Sequence, residues 1–217
     1  LADLGADVIK VEAPGHGDGM RALSFGTDFN AAHTALNRGK KSVVLDLRSE
    51  EGADALKQLA ATADVVVESH RPGALDKSGI GYDGLRAINP RLIWCSITGF
   101  GPDGPNAHAP GHDITYLGYA GLLSRLGESA PTPPGVGVTL PVAGLMAALG
   151  ITAALHERAG TGVGRRVDTN MVDSAMWVLS EEFARAAHQP MPGWGSLAAR
   201  AVYRCADGRF VTVASNE

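Results

Sequence analysis

The sequence contains few of the residues that mark secreted, zinc-binding or nucleic-acid-binding proteins. Its two cysteines, Cys95 and Cys205, lie far apart and have no neighbouring cysteine or histidine at metal-ligand spacing. This argues against a disulfide framework or a metal site and fits a reducing cytoplasm. The formal net charge is −4 and the pI is about 6.0, so no positive excess is present to attract nucleic acid. We therefore expect a cytoplasmic protein without a metal or a nucleic-acid partner.

Local catalytic motifs are also missing from the sequence. It contains no GxSxG nucleophile elbow, no GxxxxGK[ST] phosphate loop and no HExxH pair. Residues 15–19 (GHGDG) resemble a phosphate-binding nest, but no helix pattern follows them, and a surface loop is the simpler interpretation. The function must therefore be inferred from the order of elements and from single residues within it.

What the sequence does contain indicates an α/β fold. Hydrophobic residues make up 45% and charged residues 19% of the 217 positions, which excludes a disordered chain and supports one sizeable core. Continuous Val/Ile runs between amphipathic segments predict parallel strands that are buried on both faces. These predicted strands cover residues 8–12, 42–47, 64–68 and 91–98, and a short polar strand is predicted over 165–169. The predicted helices cover 49–60, 82–88, 114–126, 140–158 and 171–188.

The chain is expected to contain one large domain and the beginning of a second. Residues 1–195 form the predicted α/β domain, and a Pro/Gly-rich linker precedes a β-hairpin in residues 196–217. The near-uncharged stretch 138–155 has the length of a membrane span, but Pro141 and Thr152 interrupt it, and we predict a buried core helix and no membrane contact. The sequence begins within a helix-like segment without Met and stops after a strand-like one, so we expect a fragment.

His112 is the strongest catalytic candidate by residue type. It stands where a glycine-rich loop meets a predicted helix, and Asp113 beside it can serve as the N-cap. An imidazole at a helix start can transfer protons near neutral pH, although a loop histidine bonded to backbone is an equal alternative. Arg71 and Lys77 follow a predicted parallel strand, where α/β sheets bind ligands, and they are either phosphate contacts or solvated surface charge.

Collinear segments of the sequence resemble the class III CoA-transferase family and, within it, the α-methylacyl-CoA racemase branch. The resemblance covers nearly the whole chain. It implies a Rossmann-like large domain with a parallel sheet and a smaller domain. It further implies an interlocked homodimer and an acyl-CoA thioester substrate, with coenzyme A bound as part of that substrate. The segments are LADLGADVIKVEAPG, NRGKKSVVLDL, ADVVVESHRPG, NPRLIWCSITGFGPDGP, GHDITY, GRRVDTNMVDS and ADGRFVTVASNE.

The resemblance also assigns roles to individual residues. It implies that His112 is one of two catalytic proton carriers, and it places a catalytic glutamate at Glu217. The expected contacts to CoA or to the thioester are Lys10, Leu45, Asp46, Leu47, Arg48, Ser69, His70, Arg71, Lys77, Gly111, Asp113 and Tyr116.

One position departs from the family pattern. Members carry an aspartate before the long apolar helix, as the second proton carrier in racemases and as the nucleophile in transferases. Here residues 133–141 contain no carboxylate, and Leu140, or Thr139 after a shift of one residue, falls on that position. Three functions follow as alternatives: a racemase of 2-methylacyl-CoA thioesters, a CoA-transferase acting between carboxylic acids, and a catalytically impaired CoA-ester binding protein.

Overall fold

A computed structural model of the chain describes residues 1–22, 30–126, 134–188 and 200–214. The chain divides into two compact units, residues 1–175 and 176–217. The expected domain boundary at residue 195 and the predicted linker lie outside the described residues, so that boundary stays a prediction.

The described residues alternate between strands and helices in the predicted order, with an additional helix between the first two strands and two helices where one was expected. Strands are β1 Ile9–Glu12, β2 Lys41–Val44, β3 Val65–Glu68, β4 Ile93–Thr98, β5 Arg166–Asn170, β6 Arg200–Arg204 and β7 Phe210–Ala214. Helices are α1 Ala31–Asn37, α2 Glu50–Thr62, α3 Tyr82–Ile88, α4 Asp113–Ala120, α5 Thr139–Thr161, α6 Met171–Val178 and α7 Ser180–His188.

The strands of the first unit are parallel, which confirms the mixed α/β class. β1 pairs with β2, and β4 pairs with β3 on one side and with β5 on the other. Within the described part of the chain these strands form two separate sheets rather than one. In the larger sheet, Glu68 of β3 lies opposite Ser96 of β4, and Ser96 lies opposite Asp168 of β5.

Burial on both faces, as predicted for the apolar strands in the first half of the chain, holds for β4 but not for β2 or β3. Residues 93–96 of β4 are buried, because β4 is the central strand and α5 packs against it. β2 is mostly exposed, and Val44 is 59% exposed. β3 leaves Val67 51% exposed. The prediction is wrong for these two strands because no described element covers their outer faces.

Helix α2 begins where the sequence places a capping residue. The Ser49 hydroxyl accepts the backbone N–H of Gly52 at 3.0 Å, which satisfies one of the N–H groups that a helix start leaves without a partner. The helix then packs with α3 over the larger sheet. The core between them contains Ala53, Ala60, Ile80, Leu85, Leu92 and Trp94.

Helix α5 buries one face and exposes the other. Ala147 and Ile151 pack against Cys95 of β4, and a Cβ on Gly150 would lie 2.8 Å from Val167 Cγ1 of β5, so small residues let the helix approach the sheet closely. Leu145 on the other face is 71% exposed. The predicted core helix is therefore confirmed for one face. By length and composition α5 could also cross a membrane, and 28% of its apolar window is buried.

The second unit contains the hairpin that the sequence predicts. Strands β6 and β7 pair antiparallel, and Gly208 takes a positive φ of 83° in the turn between them. The single helix expected over residues 171–188 is instead two helices: α6 ends just before Leu179 and α7 begins just after it.

Helix α1 of the first unit was not predicted by the sequence pattern. It begins at Asn30, whose side chain accepts the His33 N–H at 2.8 Å.

Candidate active site

The loop that carries His112 is built around the ring of Tyr116. A Cβ on Gly111 would lie 2.5 Å from Tyr116 Cε1, and a Cβ on Gly99 would lie 2.7 Å from the Tyr116 hydroxyl. Phe100 meets the ring edge-on, with 5.3 Å between the ring centroids. Burial raises the pKa of the Tyr116 hydroxyl. Two glycines thus allow the chain leaving β4 to close over an aromatic ring just before His112.

His112 is the N-cap residue of α4 and is exposed. Its carbonyl accepts the N–H of Thr115 at 2.8 Å, and its own N–H donates to Thr115 Oγ1 at 3.3 Å. These bonds fix the backbone on which the imidazole is carried. The first N–H groups of a helix have no acceptor within the helix and favour negative charge, so His112 lies beside a region that can stabilise an anion.

Asp113 caps α5 and not the helix in which it lies. Its Oδ1 accepts the backbone N–H of Thr139 at 2.7 Å and the Thr139 hydroxyl at 2.5 Å, and its Oδ2 accepts the Val138 N–H at 3.1 Å. Burial alone would raise the pKa of this carboxyl, but the hydrogen bonds from Thr139 and Val138 outweigh burial and lower it. The N-cap role predicted for Asp113 on its own helix is therefore wrong, because His112 takes that place.

This contact brings the predicted catalytic histidine close to the position that lacks the family aspartate. Thr139 is fully buried, at 0% exposure, and its hydroxyl is occupied by Asp113. Leu140, the next residue, is 53% exposed and apolar. The start of α5 therefore presents a leucine side chain, and the nearby carboxylate is that of Asp113.

The expected nucleotide contacts follow the carboxyl ends of β2 and β3. Arg48 precedes α2 and is held by Asp46, with 3.1 Å between Nε and Oδ1, and this contact lowers the pKa of Asp46. Arg71 and Lys77 are exposed, and within the described residues neither forms an ion pair. They follow β3, whose carboxyl end lies at the same sheet edge as that of β4, from which the His112 loop departs. Leu45, Leu47 and Ser69 occupy the same two loops.

Glu68, at the end of β3, connects this loop to the central strand. Its carboxylate accepts the Ser96 hydroxyl and, at 2.7 Å, the backbone N–H of His70. The His70 Nδ1 lies 3.5 Å from Glu68 Oε2. Hydrogen bonding to Glu68 raises the pKa of His70. Burial opposes ionisation of Glu68, but its bonds to His70 and Ser96 prevail and lower its pKa.

Lys10, an expected CoA contact, is engaged within the protein. Its Nζ pairs with Asp18 and donates to Asn37 Oδ1 at 2.9 Å. The bond to Lys10 is the main reason why the pKa of Asp18 is lowered. A CoA phosphate would have to displace one of these partners, and the sequence pattern gave no sign of them because they lie 8 and 27 residues away.

Two further predictions concern a glutamate and metals. Glu217, the expected catalytic glutamate, lies outside the described residues, and its role stays a prediction. Among the residues that the structure describes, no cluster of His, Cys, Asp or Glu side chains is arranged to hold a metal ion.

Cys95 is buried, and burial raises the pKa of its thiol to about 11. This thiol is therefore a poor nucleophile.

Comparison with known proteins identifies the family. A model of CoA-transferase family III matches residues 1–217, and the chain belongs to this family. It is 41% identical to a succinate–glutarate CoA-transferase from Agrobacterium fabrum over 84% of the chain and 48% of the relative. It is 35% identical to human α-methylacyl-CoA racemase over 100% of the chain and 56% of that enzyme. The chain spans about half the length of the curated relatives it matches.

The fold is also shared with a solved structure. A CaiB/BaiF family protein from Brucella suis superposes with a TM-score of 0.87 at 38% identity, covering 98% of this chain and 59% of the other. The relatives thus include both CoA-transferases and α-methylacyl-CoA racemases.

Proposed function

We propose that the protein exchanges the α-proton of an acyl-CoA thioester, as a racemase or epimerase of 2-methylacyl-CoA. The observation that carries this proposal is the pairing of an exposed histidine at the start of α4 with a leucine at the start of α5. His112 can carry a proton, whereas neither Thr139 nor Leu140 offers a carboxylate that could attack a thioester. Proton transfer therefore fits the described residues better than formation of an acyl anhydride.

The chemistry follows from the acidity of the thioester α-carbon. A base that lies within hydrogen-bond reach of this carbon removes its proton, and the thioester oxygen becomes an enolate. N–H groups at the start of α4 are suited to stabilise that oxygen, because helix N-termini favour negative charge and backbone donors need no reorganisation. Return of the proton by His112 restores the original configuration. Inversion requires that the enolate take a proton on its opposite face, which water would supply, while protonated His112 releases its proton to solvent.

Coenzyme A enters as part of the substrate in this proposal. Arg48, Arg71 and Lys77 supply positive charge after β2 and β3, and a diphosphate would pair with them through charge-assisted hydrogen bonds. His70, Ser69 and the loop of residues 45–47 would line the nucleotide. The acyl end would reach Gly111 and Tyr116. We also propose that the protein functions as a homodimer.

A CoA-transferase is the second candidate, and the 41% identity to a succinate–glutarate CoA-transferase favours it. Transfer through a mixed anhydride requires a carboxylate nucleophile. Asp113 is the described carboxylate next to His112, but both of its oxygens accept hydrogen bonds from α5. The third hypothesis is a catalytically impaired protein that binds CoA esters, since the carboxylate expected at residue 139 or 140 is missing.

One experiment on the full-length protein separates the three candidates. A single epimer of 2-methylacyl-CoA is incubated in D₂O, and deuterium uptake at the α-carbon and conversion to the other epimer are followed together. A second sample contains succinate and measures transfer of CoA. Uptake without transfer supports the proposal, transfer without uptake replaces it with the second candidate, and CoA binding without either reaction leaves a binding protein.

A further inference from the structure

Asp113 accepts hydrogen bonds at both of its carboxylate oxygens, and all of the donors belong to the start of α5. Oδ1 receives the Thr139 N–H at 2.7 Å and the Thr139 hydroxyl at 2.5 Å, while Oδ2 receives the Val138 N–H at 3.1 Å. Thr139 is completely buried. With three of its roughly four acceptor sites occupied, this carboxylate is less available to take a proton from carbon.

These bonds join the first residues of two helices. Asp113 directly follows His112 in the chain, and residues 138 and 139 begin α5, so the contact spans 26 residues of sequence. Hydrogen bonds to a charged acceptor are stronger than neutral ones. They also favour the ionised carboxylate, which makes it a weaker base. The same three contacts therefore hold the helix starts together and oppose proton uptake by Asp113.

We propose that Asp113, with the Thr139 hydroxyl, is a positioning pair that fixes His112 against the start of α5 and carries no proton in the reaction. This inference rests on the function proposed above. It assigns Asp113 a different role from the substrate contact that the sequence resemblance implies, and it excludes the carboxylate next to His112 as the second proton carrier.

The Thr139 hydroxyl gives a test in which the two roles predict opposite effects. Thr139→Val keeps the shape of the side chain but removes the donor to Asp113. For a positioning pair, kcat for deuterium uptake from D₂O into 2-methylacyl-CoA falls by up to about 100-fold, as expected when a catalytic group is misplaced, while KM stays nearly unchanged because no CoA contact is lost. Thr139→Ser restores the donor and should recover most of that rate. If Asp113 were a base, losing the donor would strengthen it, and an unchanged or higher kcat for Thr139→Val would overturn the inference.

Asp113→Asn provides an independent measurement if Thr139→Val does not fold. The amide oxygen can still accept from Thr139, but it has no charge and cannot act as a base. A positioning role predicts that deuterium uptake and epimer conversion are reduced but remain measurable. Complete loss of conversion with retained CoA binding would show that Asp113 carries a proton.

A wild-type protein without uptake or CoA transfer overturns the proposed function itself. An active wild type with the contrary variant results overturns the role of Asp113 alone.

Discussion

Replacing Gly111 by alanine should distort the loop that carries His112. The new methyl group would lie 2.5 Å from Tyr116 Cε1 and 2.8 Å from Cζ, well inside the 3.5–4.0 Å at which carbon atoms attract each other. The ring has little room to move, because Gly99 lies so close that a Cβ there would come within 2.7 Å of the Tyr116 hydroxyl, and Phe100 packs against the ring. Overpacking of this kind costs about 1–3 kcal/mol. We expect Gly111→Ala to lower the free energy of unfolding by that amount.

The assay is denaturant unfolding of the full-length protein, with Gly118→Ala as the matched control. Gly118 lies within α4, and a methyl group there meets no atom within 4 Å. This control should be neutral or stabilising by up to about 1 kcal/mol, because alanine is the better helix former. Tyr116→Leu removes the ring atoms that the new methyl group meets, so the double variant should lose less stability than the two single changes add up to. Equal stability of Gly111→Ala and Gly118→Ala would refute the close packing described here.

Three further changes test other parts of the structure. Ser49→Ala removes the cap of α2 and should cost about 1 kcal/mol of unfolding free energy in denaturant unfolding, and no loss would show that the Ser49–Gly52 bond is unimportant. Arg71→Ala should weaken CoA binding by about 1–3 kcal/mol in calorimetry, with Lys57→Ala on α2 as the control, and unchanged affinity would remove Arg71 from the site. The pKa of Asp113 lies below its ordinary value of 3.8, so its stabilising contribution is present above that value and is lost as the pH falls through its lowered pKa. Asp113→Asn should therefore lose less stability on acidification than the wild type, measured by unfolding at a series of pH values, and parallel curves would contradict this.

The order of strands and helices could be predicted because each element has a local pattern. Apolar β-branched runs located β3 and β4, and Ser49 marked the start of α2. Helix α1 was missed because its seven residues make only about two turns, which is too short for a helical period to stand out in the sequence. The exposed face of α5 was missed for a different reason. The helix is apolar all round, so its pattern does not show which face meets the sheet.

The residue types of the candidate site were visible in the sequence, but their partners were not. His112 could be singled out from its glycine-rich loop and the helix pattern after it. The bond between Asp113 and Thr139 crosses 26 residues, and that between Lys10 and Asn37 crosses 27. Tertiary packing decides such contacts, and local propensity carries no information about them. The one sequence signal for Thr139 was its place near the missing family aspartate.

The most direct test of proton transfer by this protein is deuterium uptake by His112→Ala. Wild type and variant are incubated with 2-methylacyl-CoA in D₂O, and binding of CoA to each is measured by calorimetry. We predict uptake by the wild type, loss of uptake in the variant, and the same CoA affinity in both, because His112 lies in the loop after β4 rather than beside Arg71 and Lys77. Undiminished uptake by His112→Ala would contradict the assignment of the proton carrier.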